Sequence, residues 1–211
     1  MRYSLVIFDL DGTLVDSFPW FLRNLNDAAD RFGFRRIADG DIAPLRRAGL
    51  AEIFERLEVP RKKLPVIVRH MRRRKAADAA TMGLFPGAGK ALRALAGAGI
   101  RLALVSSDNE ANARHHLGAD NVALFSAFDC GASLFGKAAK FRRVIKRAGA
   151  DPAGVIAIGD EVRDIEAARA AGIAFGAVSW GFTAPEALRA FDPELEFKRI
   201  DDIARLLLGP A

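Results

Sequence analysis

The chain begins with an apolar run that ends abruptly in two acidic residues. Residues 5–8 read Leu-Val-Ile-Phe, and residues 9–13 follow as Asp-Leu-Asp-Gly-Thr. A continuous run of large apolar side chains, without polar residues in alternation, is typical of a strand buried on both faces. Such strands belong to parallel sheets covered by helices, so the run indicates a parallel sheet with polar residues at the end of its first strand.

The same kind of run recurs along the chain, separated by helical segments. The strand-like runs lie at residues 101–105, 155–158, 173–178 and, more weakly, 122–125. The segments with helical spacing between them lie at residues 87–96, 138–148 and 162–171. Strands that alternate with helices of this length predict βαβ units. The expected fold is therefore α/β, with a Rossmann-like doubly wound parallel sheet.

Residues 16–80 interrupt this alternation and carry all of the excess positive charge. The segment has helical patterns and no convincing strand-like run. It holds 15 Lys and Arg against nine Asp and Glu, whereas the rest of the chain has 17 of each, for a net charge of +6. We therefore expect a core domain formed by residues 1–15 and 81–211, with residues 16–80 inserted as a separate helical domain.

Composition excludes several other classes of protein. The single cysteine, Cys130, cannot form an intramolecular disulfide or a cysteine-built zinc site. The apolar runs are shorter than the roughly 20 residues that a membrane-spanning helix needs. The N-terminal residues lack the long apolar stretch of a secretory signal. A cytoplasmic protein is expected, without contact with a membrane.

Polar residues follow the predicted strands where each strand ends. They are Asp9 and Asp11 after the first strand, Ser106 after the run at 101–105, and Asp160 and Asp164 after the run at 155–158. In open α/β sheets, ligands bind beyond the carboxyl ends of the strands. Four carboxylates at one edge repel one another unless a cation is bound, and hard oxygen ligands suit Mg²⁺. The sequence therefore predicts a magnesium site at this edge.

These residues resemble the motifs of the haloacid dehalogenase superfamily, in its phosphatase branch. Residues 9–16 (DLDGTLVD) are similar to the first motif, Ser106 to the second and residues 159–164 (GDEVRD) to the fourth. Residues 84–87 and the helical insert resemble the phosphoglycolate phosphatase-like subgroup. The resemblance covers nearly the whole chain, and it implies a phosphoric monoester hydrolase whose insert closes as a cap over the sheet edge.

The resemblance also implies a role for each site residue. Asp9 is the nucleophile that becomes an aspartyl-phosphate, and Asp11 protonates the leaving oxygen and then activates water. Mg²⁺ is held by Asp9, Asp160 and the backbone carbonyl of Asp11, with Asp164 in support. Ser106 donates a hydrogen bond to the phosphate. Dehalogenases proper lack the second acid because a halide leaves without a proton, so Asp11 favours phosphoryl transfer.

The lysine of the third motif has two candidates. This lysine binds phosphate and pairs with the nucleophile as a compact charge. Lys137 and Lys140 both follow Gly136, and the proline that often follows the lysine in relatives is absent. Lys137 lies at an apparent helix start, where backbone donors also favour anions. We therefore expect Lys137 to fill this role, with Lys140 as the alternative.

The substrate and some alternatives stay open at this point. A small phosphorylated substrate is expected, with phosphoglycolate as the first choice on resemblance alone. Residues 61–75 carry eight Lys and Arg and no acid, which fits either a solvated helix face or a positive lid over an anionic substrate. The aromatic residues expected of a single-strand nucleic-acid binder are missing from this stretch. His115 and His116 are expected to face solvent.

Other activities remain as alternatives. A phosphomutase of the same fold would return the phosphoryl group to another hydroxyl, and a non-catalytic binding module would use the fold as a scaffold. Phosphonate hydrolysis would need a cap lysine near the reaction centre, for which Lys62, Lys63 and Lys75 are available. Both a monomer and a homodimer are compatible with the sequence.

Overall fold

A parallel sheet of six strands forms the centre of the computed structural model, which describes residues 2–131 and 136–209. The strands are β1 (Leu5–Phe8), β2 (Arg101–Val105), β3 (Phe125–Asp129), β4 (Val155–Gly159), β5 (Ala174–Val178) and β6 (Leu195–Phe197). Their order in the sheet is β3-β2-β1-β4-β5-β6, and every neighbouring pair is parallel. The prediction of an α/β fold with a parallel sheet is confirmed.

Ten α-helices connect these strands within the described ranges. They are α1 (Phe18–Phe32), α2 (Asp39–Arg47), α3 (Leu50–Arg56), α4 (Leu64–Ala77), α5 (Ala88–Gly97), α6 (Glu110–Val122), α7 (Lys137–Ala148), α8 (Val162–Ala171), α9 (Pro185–Arg189) and α10 (Ile200–Leu208). The first four follow one another between β1 and α5, in the segment where only helices were expected. Among the described helices, none combines the length and the apolar character that crossing a bilayer requires.

Both faces of the sheet are buried, as the uninterrupted apolar run of β1 indicated. Its four side chains are fully buried and alternate between two hydrophobic clusters. Val6 and Phe8 pack on the face that α5 and α10 cover, whereas Leu5 and Ile7 pack on the face covered by α7 and α8. The helices on both faces hold the strands in place, so the carboxyl ends of the strands form a fixed edge.

The helical insert has a small hydrophobic core of its own. Leu45, Leu57, Val59 and Ile67 are buried together, away from the two clusters on the sheet. Met71 of α4 packs against this core and also against the sheet cluster that contains Phe8. α4 therefore stabilises the insert through Ile67 and joins it to the sheet through Met71.

Two sequence predictions about the region after β2 are wrong. The strand expected at residues 122–125 overlaps β3 only at Phe125, because α6 continues to Val122. β3 lies toward the edge of the sheet and contains Ser126 and Asp129, so no apolar run marks it. His116 is buried rather than exposed, because it lies on the same helical face as Ala113 and Leu117.

Candidate active site

The order of the strands brings the predicted site residues to one edge of the sheet. β1 is flanked by β2 and β4, so Asp9, Ser106 and Asp160 follow three adjacent strands. The backbone N–H of Asp9 donates to the carbonyl of Ile158 at 2.9 Å, which extends the β1–β4 pairing to the site. Asp164 lies one turn further on, in α8. One carboxylate oxygen from each of Asp9, Asp160 and Asp164 lies within 4.8 Å of the others.

Asp160 is held in one orientation by two hydrogen bonds. The hydroxyl of Thr13 donates to its Oδ1 at 2.9 Å, and the backbone N–H of Phe182 donates to its Oδ2 at 2.7 Å. Two glycines permit this close approach. A Cβ at Gly12, where φ is +71°, would lie 2.3 Å from Oδ2, and a Cβ at Gly181 would lie 2.1 Å from the Cβ of Asp160. The first motif therefore orients the carboxylate as well as supplying Asp9 and Asp11.

The charges at this edge favour a bound cation. Burial raises the pKa of Asp160 well above its usual range, and the carboxylates of Glu161, Asp9 and Asp164 add to the effect. Burial also raises the pKa of Asp164 to about 7, against the opposing effect of Lys137. Within the described residues, the buried Oδ2 of Asp164 has no hydrogen-bond partner. Clustered carboxylates with a spare oxygen fit a hard divalent cation such as Mg²⁺.

Lys137 supplies a positive charge directly beside the carboxylates. It is the first residue of α7, and its Nζ lies 2.9 Å from Oδ2 of Asp9 and 2.5 Å from Oδ1 of Asp164. Burial alone would lower the pKa of Lys137, but the carboxylates of Asp164 and Asp9 outweigh it and raise the pKa above its usual value. The ammonium therefore stays charged next to the candidate nucleophile.

Lys140 lies in a different environment. It is buried one turn further along α7, and its Nζ donates to the backbone carbonyls of Ser106 at 2.8 Å and Gly131 at 2.7 Å, with a longer contact of 3.4 Å to that of Asp129. These carbonyls lie at the ends of β2 and β3. The structure thus brings Lys137 to the carboxylates and uses Lys140 to join two strand ends.

Ser106 and Asp11 complete the set of predicted site residues. Ser106 is buried at the end of β2, where its Oγ accepts from the backbone N–H of Asp108 at 3.0 Å. Because the oxygen acts as an acceptor there, its own hydrogen is available to a ligand. Asp11 directs Oδ2 toward Lys75, and its buried Oδ1 lacks a hydrogen-bond partner in the described part of the chain.

The sequence did not identify how Lys75 joins the insert to the site. Its ammonium, at the end of α4, lies 2.5 Å from Oδ2 of Asp11 and 2.7 Å from Oδ2 of Asp108. Burial alone would lower the pKa of Lys75, but Asp11 and Asp108 raise it above its usual value. The sequence named Lys75 only as one of three lysines available near the reaction centre for phosphonate hydrolysis, and it gave Asp108 no role.

A second contact joins the insert to the loop that follows β5. The guanidinium of Arg46, in α2, donates to the carbonyl of Gly181 at 2.6 Å and to that of Phe182 at 3.1 Å. The backbone N–H of Ala184 donates back to the carbonyl of Arg46 at 2.7 Å. The N–H of Phe182 orients Asp160, so the insert touches the loop that positions this candidate metal ligand.

Fold and site together define an α/β protein with a cluster of buried carboxylates that fits a metal ion. The chain belongs to the haloacid dehalogenase-like hydrolase family, whose family model matches residues 6–178. The phosphoglycolate phosphatase of Synechococcus elongatus is 33% identical over 190 residues, which cover 90% of each chain. The predicted family and enzyme class, a phosphoric monoester hydrolase, are confirmed.

Two other relatives show the range of the family. A haloacid dehalogenase-like hydrolase from Streptococcus pneumoniae superimposes with a TM-score of 0.82 at 21% identity, covering 98% of this chain and 99% of that one, which shows a shared fold. The tyrosine-protein kinase PtkA of Mycobacterium tuberculosis is 32% identical over 193 residues, which cover 85% of this chain and 63% of that protein. That relative is named as a kinase, and a kinase transfers a phosphoryl group to an acceptor other than water. Experiments on this enzyme should therefore identify the phosphoryl acceptor.

Proposed function

We propose that the enzyme hydrolyses a small phosphate monoester through a phosphorylated Asp9, with Mg²⁺ as its cofactor. The observation that carries this proposal is the arrangement around Asp9. Its carboxylate lies 2.9 Å from the ammonium of Lys137. One of its oxygens also lies within 4.8 Å of a carboxylate oxygen of Asp160 and of Asp164. A nucleophile, a fixed cation and a ligand set for a hard metal ion are the components that phosphoryl transfer requires.

In this proposal, Asp9, Asp160 and the backbone carbonyl of Asp11 hold the metal ion, and Asp164 supports it. The bound Mg²⁺ reduces the repulsion between the anionic nucleophile and the phosphate and stabilises charge on the transferring group. The buried, unpartnered oxygen of Asp164 supports this assignment because it is available to a metal ion. The raised pKa of Asp160 supports it as well, because burial and the neighbouring carboxylates disfavour the charged form unless a cation is bound.

The proposed reaction has two displacements at phosphorus. First, the carboxylate of Asp9 attacks and forms an aspartyl-phosphate, while the ester oxygen leaves with a proton from Asp11. Second, a water molecule gives a proton to the Asp11 carboxylate and attacks phosphorus. This step breaks the bond to Asp9 and releases inorganic phosphate. Lys137 and the hydroxyl of Ser106 hold the phosphate oxygens through both steps.

We further propose that residues 16–80 act as the cap domain on a core formed by residues 1–15 and 81–211. The contacts of Lys75 and Arg46 support this, since both tie the insert to residues beside the reaction centre. A cap in this position excludes bulk water during the chemistry.

The proposed substrate is similar to phosphoglycolate, because the relative from Synechococcus is named as a phosphoglycolate phosphatase. The proposed location is the cytoplasm.

The test is release of inorganic phosphate from a panel of monoesters, with and without Mg²⁺. We expect metal-dependent turnover by the wild type, loss of turnover in Asp9→Asn, and normal turnover in Asp120→Asn. Asp120 provides a matched control because it is an exposed aspartate at the end of α6. Substrate consumption without release of phosphate would instead favour a mutase or another phosphotransferase. No consumption of any monoester by a folded, Mg²⁺-supplied wild type would contradict the proposal.

A further inference from the structure

Most of the positive charge of residues 61–75 lies on the surface of the insert without an acidic partner. The stretch holds eight Lys and Arg and no Asp or Glu. Lys75 and Arg74 have acidic partners, and Lys63 donates to a backbone carbonyl. The other five are exposed and form no ion pair with any residue that the structure describes: Arg61, Lys62, Arg69, Arg72 and Arg73.

Several exposed arginines of the core pair with a nearby acid instead. Arg114 in α6 lies 2.7 Å from Glu110, and Arg143 in α7 lies 2.8 Å from Asp129. Such a pair must loosen before its arginine can bind another anion. The five unpaired cations of the insert carry no such cost, so an external anion can compensate their charge directly.

The unpaired cations of α4 lie away from the proposed reaction centre. Arg69 and Arg73 are four positions apart, which places them next to each other on one face of the helix. Lys75 contacts Asp11, and it lies about 200° around the helix from Arg73 and about 120° from Arg69. A ligand on the face of Arg69 and Arg73 therefore does not need to enter the site.

This face offers charge rather than an apolar surface. Val66 is its one large apolar residue that is exposed, within the part of the chain that the structure describes. Helices that lie on membranes carry a broad apolar face, and protein interfaces have an apolar or aromatic centre. Arginine, in contrast, pairs with phosphate oxygens through two parallel hydrogen bonds. The face therefore fits a partner that is recognised through phosphate groups.

The nearby aromatic rings favour a double helix over a single strand. Phe32 and His70 lie beside the basic stretch, but their ring centroids are 5.3 Å apart and Arg31 stacks on the ring of Phe32. These rings are already packed, whereas single-strand binders need aromatic faces for the bases. Residues 62–73 extend about 16 Å along the helix axis, over which one strand of a duplex places about five phosphates.

We propose that the outer surface of the insert, formed by Arg61, Lys62, Arg69, Arg72 and Arg73, binds the phosphate backbone of double-helical nucleic acid without sequence preference. This binding is separate from the proposed hydrolysis and does not depend on it. Each cation that neutralises a phosphate releases a counterion, so the affinity falls steeply with salt.

The test is fluorescence anisotropy of a labelled DNA duplex of about 20 base pairs, titrated with the full chain between about 50 and 200 mM salt. If all five cations contact phosphates, we expect a slope of about −4.5 for log affinity against log salt concentration. Arg69→Gln combined with Arg73→Gln should reduce the slope to about −2.7 and weaken binding about 10- to 100-fold at 100 mM salt.

A matched control separates this surface from net charge. Lys146→Gln combined with Arg147→Gln removes the same charge from exposed positions on α7, and it should change the affinity by less than about threefold. An equal loss in this control would attribute the binding to net charge and overturn the proposal. An unchanged slope in the α4 variant, or no binding by the wild type at about 50 mM salt, would overturn it as well.

Vesicles of phosphatidylglycerol distinguish the duplex from an anionic membrane. Cosedimentation at 100 mM salt should detect little binding of the wild type, because this face has no broad apolar area to bury. Vesicle binding as tight as duplex binding, with the same loss in the α4 variant, would identify a lipid surface as the partner and refute the proposal.

Discussion

Replacing Lys140 by methionine separates the structural contacts of this lysine from the catalytic role that we propose for Lys137. Lys140 and Lys137 lie one turn apart on α7, and both were candidates for the same motif. The ammonium of Lys140 donates to carbonyls at the ends of β2 and β3, whereas that of Lys137 lies between two carboxylates. We expect Lys140→Met to lower stability with little effect on chemistry, whereas Lys137→Met should lose activity.

The size of the stability change follows from the two short hydrogen bonds of Lys140. Each bond from a charged donor contributes about 1.5–3 kcal/mol, and each carbonyl left buried without a partner costs about 1–3 kcal/mol. Removing a buried charge returns a few kcal/mol, since the ammonium no longer has to be desolvated. Methionine keeps most of the packing of the stem, so we expect a net loss of about 2–4 kcal/mol. For a chain of this size, that loss lowers Tm by about 5–15 °C.

The assay combines thermal unfolding with steady-state kinetics below the transition of each variant. Lys137→Met should lose about 10²- to 10³-fold in kcat, as when a donor to the reacting anion is removed. Lys146→Met is the control for stability because Lys146 is exposed on the same helix, and its unfolding free energy should change by less than about 0.5 kcal/mol. A folded Lys140→Met that loses as much activity as Lys137→Met would refute the distinction. Unchanged stability in Lys140→Met would refute the role of its hydrogen bonds.

Three further predictions concern the surroundings of the site. We expect Mg²⁺ to raise the Tm of the wild type, and Gly181→Ala should abolish this rise because the new Cβ would lie 2.1 Å from the Cβ of Asp160 and displace it. Arg46→Met should weaken Mg²⁺ binding in calorimetry by releasing the loop that orients Asp160. Burial, reinforced by Lys75, lowers the pKa of His116, so wild-type stability should fall as pH drops below about 6.5, whereas that of His116→Gln should fall less.

Below the unfolded pKa of histidine, the unfolded chain takes up a proton before the folded chain does, so protons favour unfolding until the pH passes the lower folded pKa. Parallel curves of unfolding free energy against pH for the wild type and His116→Gln, measured in urea, would contradict this.

Gly97→Ala is the control for Gly181→Ala, because its new Cβ lies in open space on α5 and should leave the effect of Mg²⁺ on Tm intact. Unchanged Mg²⁺ affinity in Arg46→Met would show that the loop holds Asp160 without the insert.

The sequence predicted the site best where chemistry and strand ends coincide. Asp9, Ser106 and Asp160 were identifiable because each follows a strand, and the carboxyl ends of parallel strands meet at one edge. The apolar run of β1 was equally clear, since both of its faces are buried. The apolar runs that predict strands were weaker at the edges of the sheet. β3 has half-exposed side chains and β6 has only three residues, so neither has an apolar run.

The parts that could not be predicted depend on contacts between distant segments. Lys75 and Asp11 are 64 positions apart, and no spacing rule connects a basic helix to a particular carboxylate. The N–H of Phe182, which orients Asp160, is a backbone group that every residue except proline possesses, so its role leaves no mark in composition. His116 was predicted to face solvent, but Ala113 and Leu117 define the buried face of residues 110–122, and His116 lies on that face.

The two contacts of the insert have different consequences for the site. Lys75 touches Asp11 and Asp108, so its position affects the residue that we propose as the general acid and base. Arg46 holds the loop whose N–H orients Asp160, so its position affects a proposed metal ligand. An opening of the insert that breaks the Arg46 contacts would release this loop, and a cation that requires the oriented Asp160 would therefore favour the closed insert. By linkage, closing the insert should strengthen metal binding by the same factor by which the bound metal favours the closed insert.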